Sequence, residues 1–291
     1  RRNWRCHKDS GHGHVNLKDA LKLSCDTWFY QMADRMGIDP IAEMGKKFGV
    51  GIASGLDLPG EKRGLMPDEA FHDRVEKSTG GYQRGMALNT SIGQGSVLMH
   101  PLQLAMVYAA LVNGGRMIEP RLVERIETAD RRVERFALAP TQDENETRTD
   151  AIERFVEGDG PEVVKVFESK IQRFLDLPED SLEAVREGLI AVTNEPGGTA
   201  YWRKSKTVPM AGKTGTAQVV RLGTKRLSAE ETAYFERDHA WFAAYAPIEE
   251  PEIAVVVLNE HSGHGGAKAG PIAVSVIDAW YQLKEKRRPR P

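Results

Sequence analysis

Apolar residues recur at helical spacing in several stretches of the chain, and their flanking residues predict where each helix begins and ends. Leu17, Ala20 and Leu21 form one apolar face behind Asn16, a capping residue with Asp19 three places on. Trp28, Phe29, Met32, Ala33 and Met36 form the next, stopped by Gly37; Asp39-Pro40 opens a third that carries Ile41, Met44 and Phe48 to Gly49. A well-marked helix is expected over 101–114 (Leu104, Ala105, Tyr108, Leu111, Val112) and another after Asp180 through Leu182, Val185, Leu189 and Ile190. A closing helix over 271–283 carries Ile272, Val276, Ile277 and Trp280. Elsewhere short apolar runs over 217–220, 240–245 and 253–258 read as strands, with Pro247, Glu249 and Glu250 turning between the last two. Runs at 122–126 and 133–136 around Thr128-Ala129-Asp130 predict a hairpin.

Three stretches break these patterns. Residues 51–95 are rich in Gly, Pro and charge and read as an extended loop region over a surface, a kind of segment that often carries function. Residues 141–176 are strongly charged and read as an inserted, partly helical surface excursion, and 284–291 as a solvated basic tail. With no internal repeat, the expected architecture is one α/β (α+β) domain over 1–283, an antiparallel sheet with helices packed around it.

Charge narrows the functional classes. Forty Lys and Arg stand against 42 Asp and Glu among 291 residues, so no basic face for nucleic acid is expected. No apolar run reaches the roughly 18 residues of a membrane span. The two cysteines, Cys6 and Cys25, are too few for a disulfide scaffold.

The chemistry concentrates in Lys213-Thr214-Gly215-Thr216, placed at the start of a predicted strand. A cation, hydroxyls and a glycine let an anionic, strand-like ligand lie against the edge, with the Thr216 N–H free to face a developing oxyanion. Such a tripeptide alone is weak evidence. It is joined by Ser24-Cys25-Asp26 about 190 residues earlier, Gly93-Gln94-Gly95 before the helix at Pro101, and Gly197-Gly198-Thr199-Ala200 before the strand.

This set, in this order, resembles the penicillin-binding transpeptidases, whose signature is a Ser-x-x-Lys nucleophile, a Ser-x-Asn element and a Lys-Thr-Gly strand. The segments GHGHVNLKDALKLSCDTWFYQMADRMGID (11–39), SIGQGSVLMHPLQLAMVYAALVNGG (91–115), NEPGGTA (194–200) and AGKTGTAQV (211–219) are most similar to the class B, monofunctional enzymes of the penicillin-binding protein 2 type, which serve cell elongation. The resemblance runs from about Asn3 to Leu283 and leaves 141–176 poorly accounted for. It implies the serine transpeptidase and beta-lactamase fold, a five-stranded antiparallel sheet flanked by helices plus a helical lobe. The implied activity is peptidoglycan D,D-transpeptidation through a serine acyl-enzyme, inhibited by beta-lactams and needing no cofactor for catalysis. Ser24, Asp26 and Lys213 would be catalytic, with Ser24 and Lys213 relaying a proton to the leaving amine. Thr214, Gly215 and Thr216 would bind the substrate carboxylate and oxyanion. The implied partners are peptidoglycan stem peptides, beta-lactams, a membrane glycosyltransferase and elongation-complex proteins, and the implied place is the periplasmic face of the bacterial inner membrane, reached by an N-terminal anchor helix outside this chain.

Two departures qualify the resemblance. No Ser is followed three places later by Lys. In the family that pair precedes the Ser-x-Asn element by some tens of residues, so it is expected upstream of Arg1 and the chain as it stands is expected to be inert. Asp26 holds the position usually occupied by Asn; an ionised carboxylate accepts hydrogen bonds but cannot donate them, and Asp here is a mark of the elongation subfamily. A beta-lactamase, a beta-lactam sensor and a scaffold that lost catalysis are the competing readings of the same fold.

Cys6, His12 and Cys25 form a second candidate site. Two thiolates and an imidazole suit a structural Zn2+, with the fourth ligand from upstream or from Asp9, His7 or His14. Two alternatives stand beside it: a Cys6–Cys25 disulfide closing a loop of about 19 residues, worth around 3 kcal/mol in the chain-entropy model, or two buried thiols without a shared role.

Overall fold

A computed structural model describes residues 4–56, 58–128, 131–137, 151–157, 162–219 and 232–287. The elements follow as α1 (Leu17–Lys22), α2 (Asp26–Met36), α3 (Asp39–Lys47), α4 (Glu69–Val75), α5 (Arg84–Ser91), α6 (Pro101–Val112), β1 (Arg116–Ile118), β2 (Arg125–Glu127), β3 (Arg131–Ala137), β4 (Ala151–Glu157), β5 (Val163–Val166), β6 (Ile171–Phe174), α7 (Glu179–Asn194), β7 (Ala211–Ala217), β8 (His239–Ala246), β9 (Ile253–Asn259), α8 (Gly265–Lys268) and α9 (Gly270–Arg287). They divide into two compact units, one of Arg1–Glu119 with Ile171–Pro291 and one of Pro120–Lys170.

The larger unit is built on the antiparallel sheet β7-β8-β9. Strand β8 alternates strictly. Ala240, Phe242, Ala244 and Ala246 face one core with Val255, Ala273 and Ile277, whereas Ala243 and Tyr245 face another with Tyr108 and Leu189. Helix α9 therefore covers one face and α6 and α7 the other, and the alanines of β8 let them approach closely. Helices α2, α3 and α5 form the helical lobe around Ala33, Ile38, Ala87 and Leu88. Among the described residues this sheet has three strands, and the fourth and fifth implied by the resemblance are not among them.

Helix starts and stops follow the sequence closely. Asn16 caps α1, Gly37 ends α2, and Asp39-Pro40 opens α3. Four expectations need correction. Residues 51–95 are not one loop, because Asp68 caps α4 by accepting from the Phe71 N–H at 2.8 Å and α5 follows. Strand β7 runs over Ala211–Ala217, so the Lys-Thr-Gly-Thr motif lies inside it; of the expected strand 217–220, Gln218 and Val219 lie beyond β7 and Val220 lies outside the described residues. Gly212 and Gly215 weaken the strand pattern in sequence, but β8 supplies a seven-pair ladder from Ala211↔Tyr245 to Ala217↔His239. The closing helix continues past 283 to Arg287, with Lys284 paired to Glu252 and 5.5 Å over the Trp280 ring.

The smaller unit is the fourth correction. The expected hairpin between 122–126 and 133–136 does not form: β2 pairs with β5 and β3 with β4. A tight two-residue hairpin favours Asn-Gly, Asp-Gly or Gly-Gly, and Thr128-Ala129-Asp130 contains no Gly. The inserted unit accordingly starts at Pro120 and ends at Lys170, not at 141–176, and its described segments are strands rather than helices. Its β-branched residues at Ile152, Val156, Val163, Val164 and Val166 favour extended backbone. Residues 138–150 and 158–161 lie outside the described residues.

Candidate active site

Ser24 sits in the turn that joins α1 to α2. Its N–H donates to Leu21 O at 3.2 Å, the Cys25 N–H donates to Ala20 O at 2.9 Å, and Ser24 takes φ +50°. A non-glycine residue in that left-handed region carries strain of order 1–3 kcal/mol, a feature that clusters at functional sites. Helix α1 is seated on α7, where Gly188 leaves no room for a side chain: an added Cβ would lie 2.3 Å from Leu21 Cδ1. Lys18 and Lys22 both reach Glu195, at 2.6 and 2.9 Å. Helix α7 in turn is tied to the residue before β7, since the Thr193 hydroxyl and the Asn194 amide each donate to Met210 O at 2.9 Å. A continuous set of contacts thus carries the Ser24 turn to the start of the motif strand.

Across the groove, the Lys213 ammonium donates to Ser24 Oγ in a short contact and to Thr214 O at 2.9 Å. Burial pushes the Lys213 amine down to about 8, and the Asp26 carboxylate pulls the other way. Thr214 Oγ1 lies 3.0 Å from Thr199 Oγ1, which joins the Gly-Gly-Thr-Ala loop to the motif. Gly215 packs against Trp241, whose Cβ would lie 3.1 Å from an added Cβ. Thr216 O accepts from the Gln94 side-chain amide at 2.8 Å, which brings the Gly-Gln-Gly segment to the far end of the strand.

Asp26 is turned toward the N-terminal loop. Its Oδ2 accepts from the His7 N–H at 2.9 Å and lies 3.7 Å from His7 Nδ1, so the carboxylate is committed to the N-terminal loop and reaches Lys213 only through its field. That loop also brings the cysteines together. One ligand atom each from Cys6, His12 and Cys25 lies within 4.8 Å of the others, with Cys6 Sγ 3.4 Å from His12 Nδ1. Both cysteines are buried and form no disulfide, and Cys25 Sγ lies 3.4 Å from Thr27 Oγ1. Burial, then His7 and Lys8, lower the His12 pKa, favouring the neutral imidazole that binds metals. Two soft sulfurs and a neutral nitrogen fit three positions of a tetrahedral Zn2+ site. Of the in-chain candidates for a fourth, His7 lies beside this set, 3.6 Å from Cys6 Sγ, whereas Asp9 and His14 fall in neither ligand cluster among the described residues.

Two structural roles went unread in the sequence. Gln103 is buried and donates to Gly49 O, Ile52 O and Arg63 O at 2.8–3.0 Å, stitching the loop ahead of α4 to α6. Its signal was available as His100-x-x-Gln103 at a helix start, since the Gln at N3 reaches back to the His100 N–H. Asn194, quoted within NEPGGTA, holds Met210 as described and was given no role.

A family model described as the penicillin-binding protein transpeptidase domain matches residues 1–278. The chain belongs to this family. Within the transpeptidase family it is 33% identical over 291 residues to the peptidoglycan D,D-transpeptidase MrdA of Acinetobacter baumannii, covering 100% of this chain and 38% of that protein. The penicillin-binding protein 2 of Helicobacter pylori, solved in complex with MreC, superposes with a TM-score of 0.72 at 28% identity, over 96% of this chain and 42% of that one. Penicillin-binding protein 2 of Pseudomonas aeruginosa, solved in complex with WCK 5153, gives a TM-score of 0.67 at 28% identity over 95% of this chain and 50% of that one. These place the chain with the class B transpeptidases of the penicillin-binding protein 2 type, and their α+β fold is its fold. The chain spans about two-fifths of the MrdA relative's length.

Proposed function

We propose that this chain forms the substrate-binding side of a peptidoglycan D,D-transpeptidase, inhibited by beta-lactams, whose nucleophile comes from a Ser-x-x-Lys segment outside these 291 residues. The observation that carries the reading is the contact between Lys213 Nζ and Ser24 Oγ, with the amine lowered to about 8 beside a hydroxyl-lined edge strand. An amine with a pKa near working pH can both take and return a proton. In acylation the serine, its proton taken by the Lys of the same Ser-x-x-Lys pair, attacks the penultimate D-Ala carbonyl of a donor stem, and the C–N bond to the terminal D-Ala breaks. Ser24, backed by Lys213, passes a proton to the departing amine. Deacylation reverses the sequence, with an amine of a neighbouring stem forming the new amide. Thr214 and Thr216 hold the donor carboxylate, and the Thr216 N–H faces the oxyanion; one such donor is worth roughly 3–4 kcal/mol of barrier. Asp26 supports Lys213 electrostatically and anchors the N-terminal loop.

Cys6, His12 and Cys25 would hold a structural Zn2+, with its fourth ligand from His7 or from outside these residues. The ion would brace the Ser24 turn through Cys25 and take no part in acyl transfer. The A. baumannii relative's name and the H. pylori complex with MreC support a place in the elongation machinery, with elongation-complex proteins and a membrane glycosyltransferase as partners. The site of action would be the periplasmic face of the inner membrane. Among the described residues no helix is long and apolar enough to cross a membrane, so the anchor would lie elsewhere in the protein.

The test is covalent labelling of the full-length protein by a fluorescent penicillin, read by intact mass. One adduct per chain, lost when the Ser of the Ser-x-x-Lys pair becomes Ala and slowed by about 10²–10⁴ in Ser24→Ala, is the expected result. A folded protein that takes no adduct would leave a non-catalytic scaffold as the better account.

A further inference from the structure

Among the described residues strand β7 is an edge of its sheet. In an antiparallel ladder each residue turns its N–H and C=O to the same side, and successive residues alternate sides. Thr216 O and the Gln218 N–H both meet Gln94, so the outward residues are 214, 216 and 218. Gln94 Nε2 donates to Thr216 O at 2.8 Å, and Gln94 Oε1 accepts from the Gln218 N–H at 3.4 Å. An incoming antiparallel strand would set one residue against both the N–H and the C=O of Thr216, and the residue two places earlier in its own chain against those of Gln218. The primary amide of Gln94 takes one group at each of these positions, the Thr216 carbonyl and the Gln218 N–H.

The backbone presets this amide. Gly93 and Gly95 flank it at φ +72° and +75°, and the Gln94 N–H donates to Asn89 O at 2.9 Å. Just downstream, Leu98 and Leu65 exchange two hydrogen bonds at 2.7 and 2.9 Å, which fixes the exit of the loop. Gln94 is therefore delivered to the strand by a structured turn and not by a free surface side chain.

We infer that Gln94 is a specificity-determining residue: it holds the Thr216 carbonyl and the Gln218 N–H of the β7 edge and competes with any ligand that reaches beyond the carbonyl placed at the Thr216 N–H. The inference deepens the transpeptidase reading and rests on it, because that reading sets the ligand's direction. With the carboxylate held at Thr214 and Thr216 beside Lys213, the amino side of a donor peptide runs toward Gln218. A ligand that ends at the carbonyl facing the Thr216 N–H leaves Gln94 in place, whereas one whose penultimate residue carries an amide N–H must displace it to reach Thr216 O, and a longer one must also free the Gln218 N–H. Gln94 thus sets how much of the peptide's length contributes to binding.

The experiment measures binding of two acylated peptides to the full-length protein by calorimetry: propanoyl-D-alanine, which keeps the carbonyl and carboxylate but has no amide N–H at the penultimate position, and an acetylated pentapeptide ending in D-alanyl-D-alanine. In Gln94→Ala the pentapeptide is expected to bind about threefold to tenfold more tightly, the range of one net hydrogen bond, while propanoyl-D-alanine is unchanged. Gln94→Asn, one methylene shorter but still an amide, is expected to follow Gln94→Ala, and the melting temperatures of all three proteins to agree within a degree or two. Loss of affinity for both peptides in parallel would make Gln94 a structural prop and overturn the inference, as would no change for either. If neither peptide binds even the unmodified protein, the transpeptidase reading itself fails and takes this inference with it.

Discussion

At Lys213 the demands of stability and of chemistry oppose each other. Burial lowers its pKa from 10.5 to about 8, so between those values the unfolded chain binds more protons than the folded one and stability rises with pH. The cost of burying the charged amine, about 3 kcal/mol for a shift of this size, is fully present below about pH 8 and vanishes as pH approaches 10.5. Lys213→Met keeps the stem and removes the charge. It is expected to raise the unfolding free energy at pH 7 and to flatten its rise between pH 8 and 10, while penicillin labelling of the full-length protein falls by about 10²–10⁴. Denaturant titrations at pH 7 and 9.5 check this; equal pH slopes for the two proteins would mean that Lys213 is not held in a desolvated state. The cysteines make the second prediction at this scale. The purified protein should carry close to one Zn2+ per chain, lost in Cys6→Ser and in Cys25→Ser alike, and chelation should lower the melting temperature. Metal content that survives both substitutions would remove Cys6 and Cys25 as ligands.

The position of Ser24 depends on how α1 sits on α7. Gly188 is the pivot, because any side chain there meets Leu21 on α1. Gly188→Ala is expected to cost about 1–3 kcal/mol as an overpacked contact, and also to slow penicillin labelling, since α1 moved outward carries Ser24 away from Lys213. A stability loss with labelling untouched would show that the Ser24 turn is held independently of α1. At the level of elements, helix ends were legible because they are written in local chemistry: Asn16, Gly37 and Asp39-Pro40 each act on backbone groups within a turn of themselves. The strands were less so. Strand β7 exists through its ladder with β8 in spite of two glycines, and the pairing of β2 with β5 joins segments more than 30 residues apart, which no local pattern specifies. The site shows the same division. Its residue types were readable from the motifs, but the turn of Asp26 toward His7 and the reach of Gln94 to Thr216 are tertiary facts.

The two units of the molecule differ in what can hold them together. The larger has helices packed on both faces of its sheet, whereas the described part of the smaller is two antiparallel strand pairs, β2 with β5 and β3 with β4. On its β2 and β5 ribbon Ile126, Val163, Val164 and Val166 are all exposed, so this ribbon buries little apolar surface of its own, and isolated strand pairs are at best marginally stable. The chain leaves the larger unit after β1 and re-enters at β6, and those strands are already paired, with Ile118 opposite Ile171. The chain ends on either side of the insertion are therefore neighbours in a ladder, so a short turn can close them without strain, and loop-closure entropy favours the shorter connection. Replacing Pro120–Lys170 by a four-residue Gly-Ser turn should leave the melting temperature of the full-length protein within a few degrees and its penicillin labelling rate within about twofold. Among the described residues the contacts that seat Ser24, Lys213 and Gln94 are made within the larger unit, which is why removal of the insertion is expected to spare labelling. A collapse of labelling in a folded, shortened protein would show instead that the insertion takes part in forming the groove.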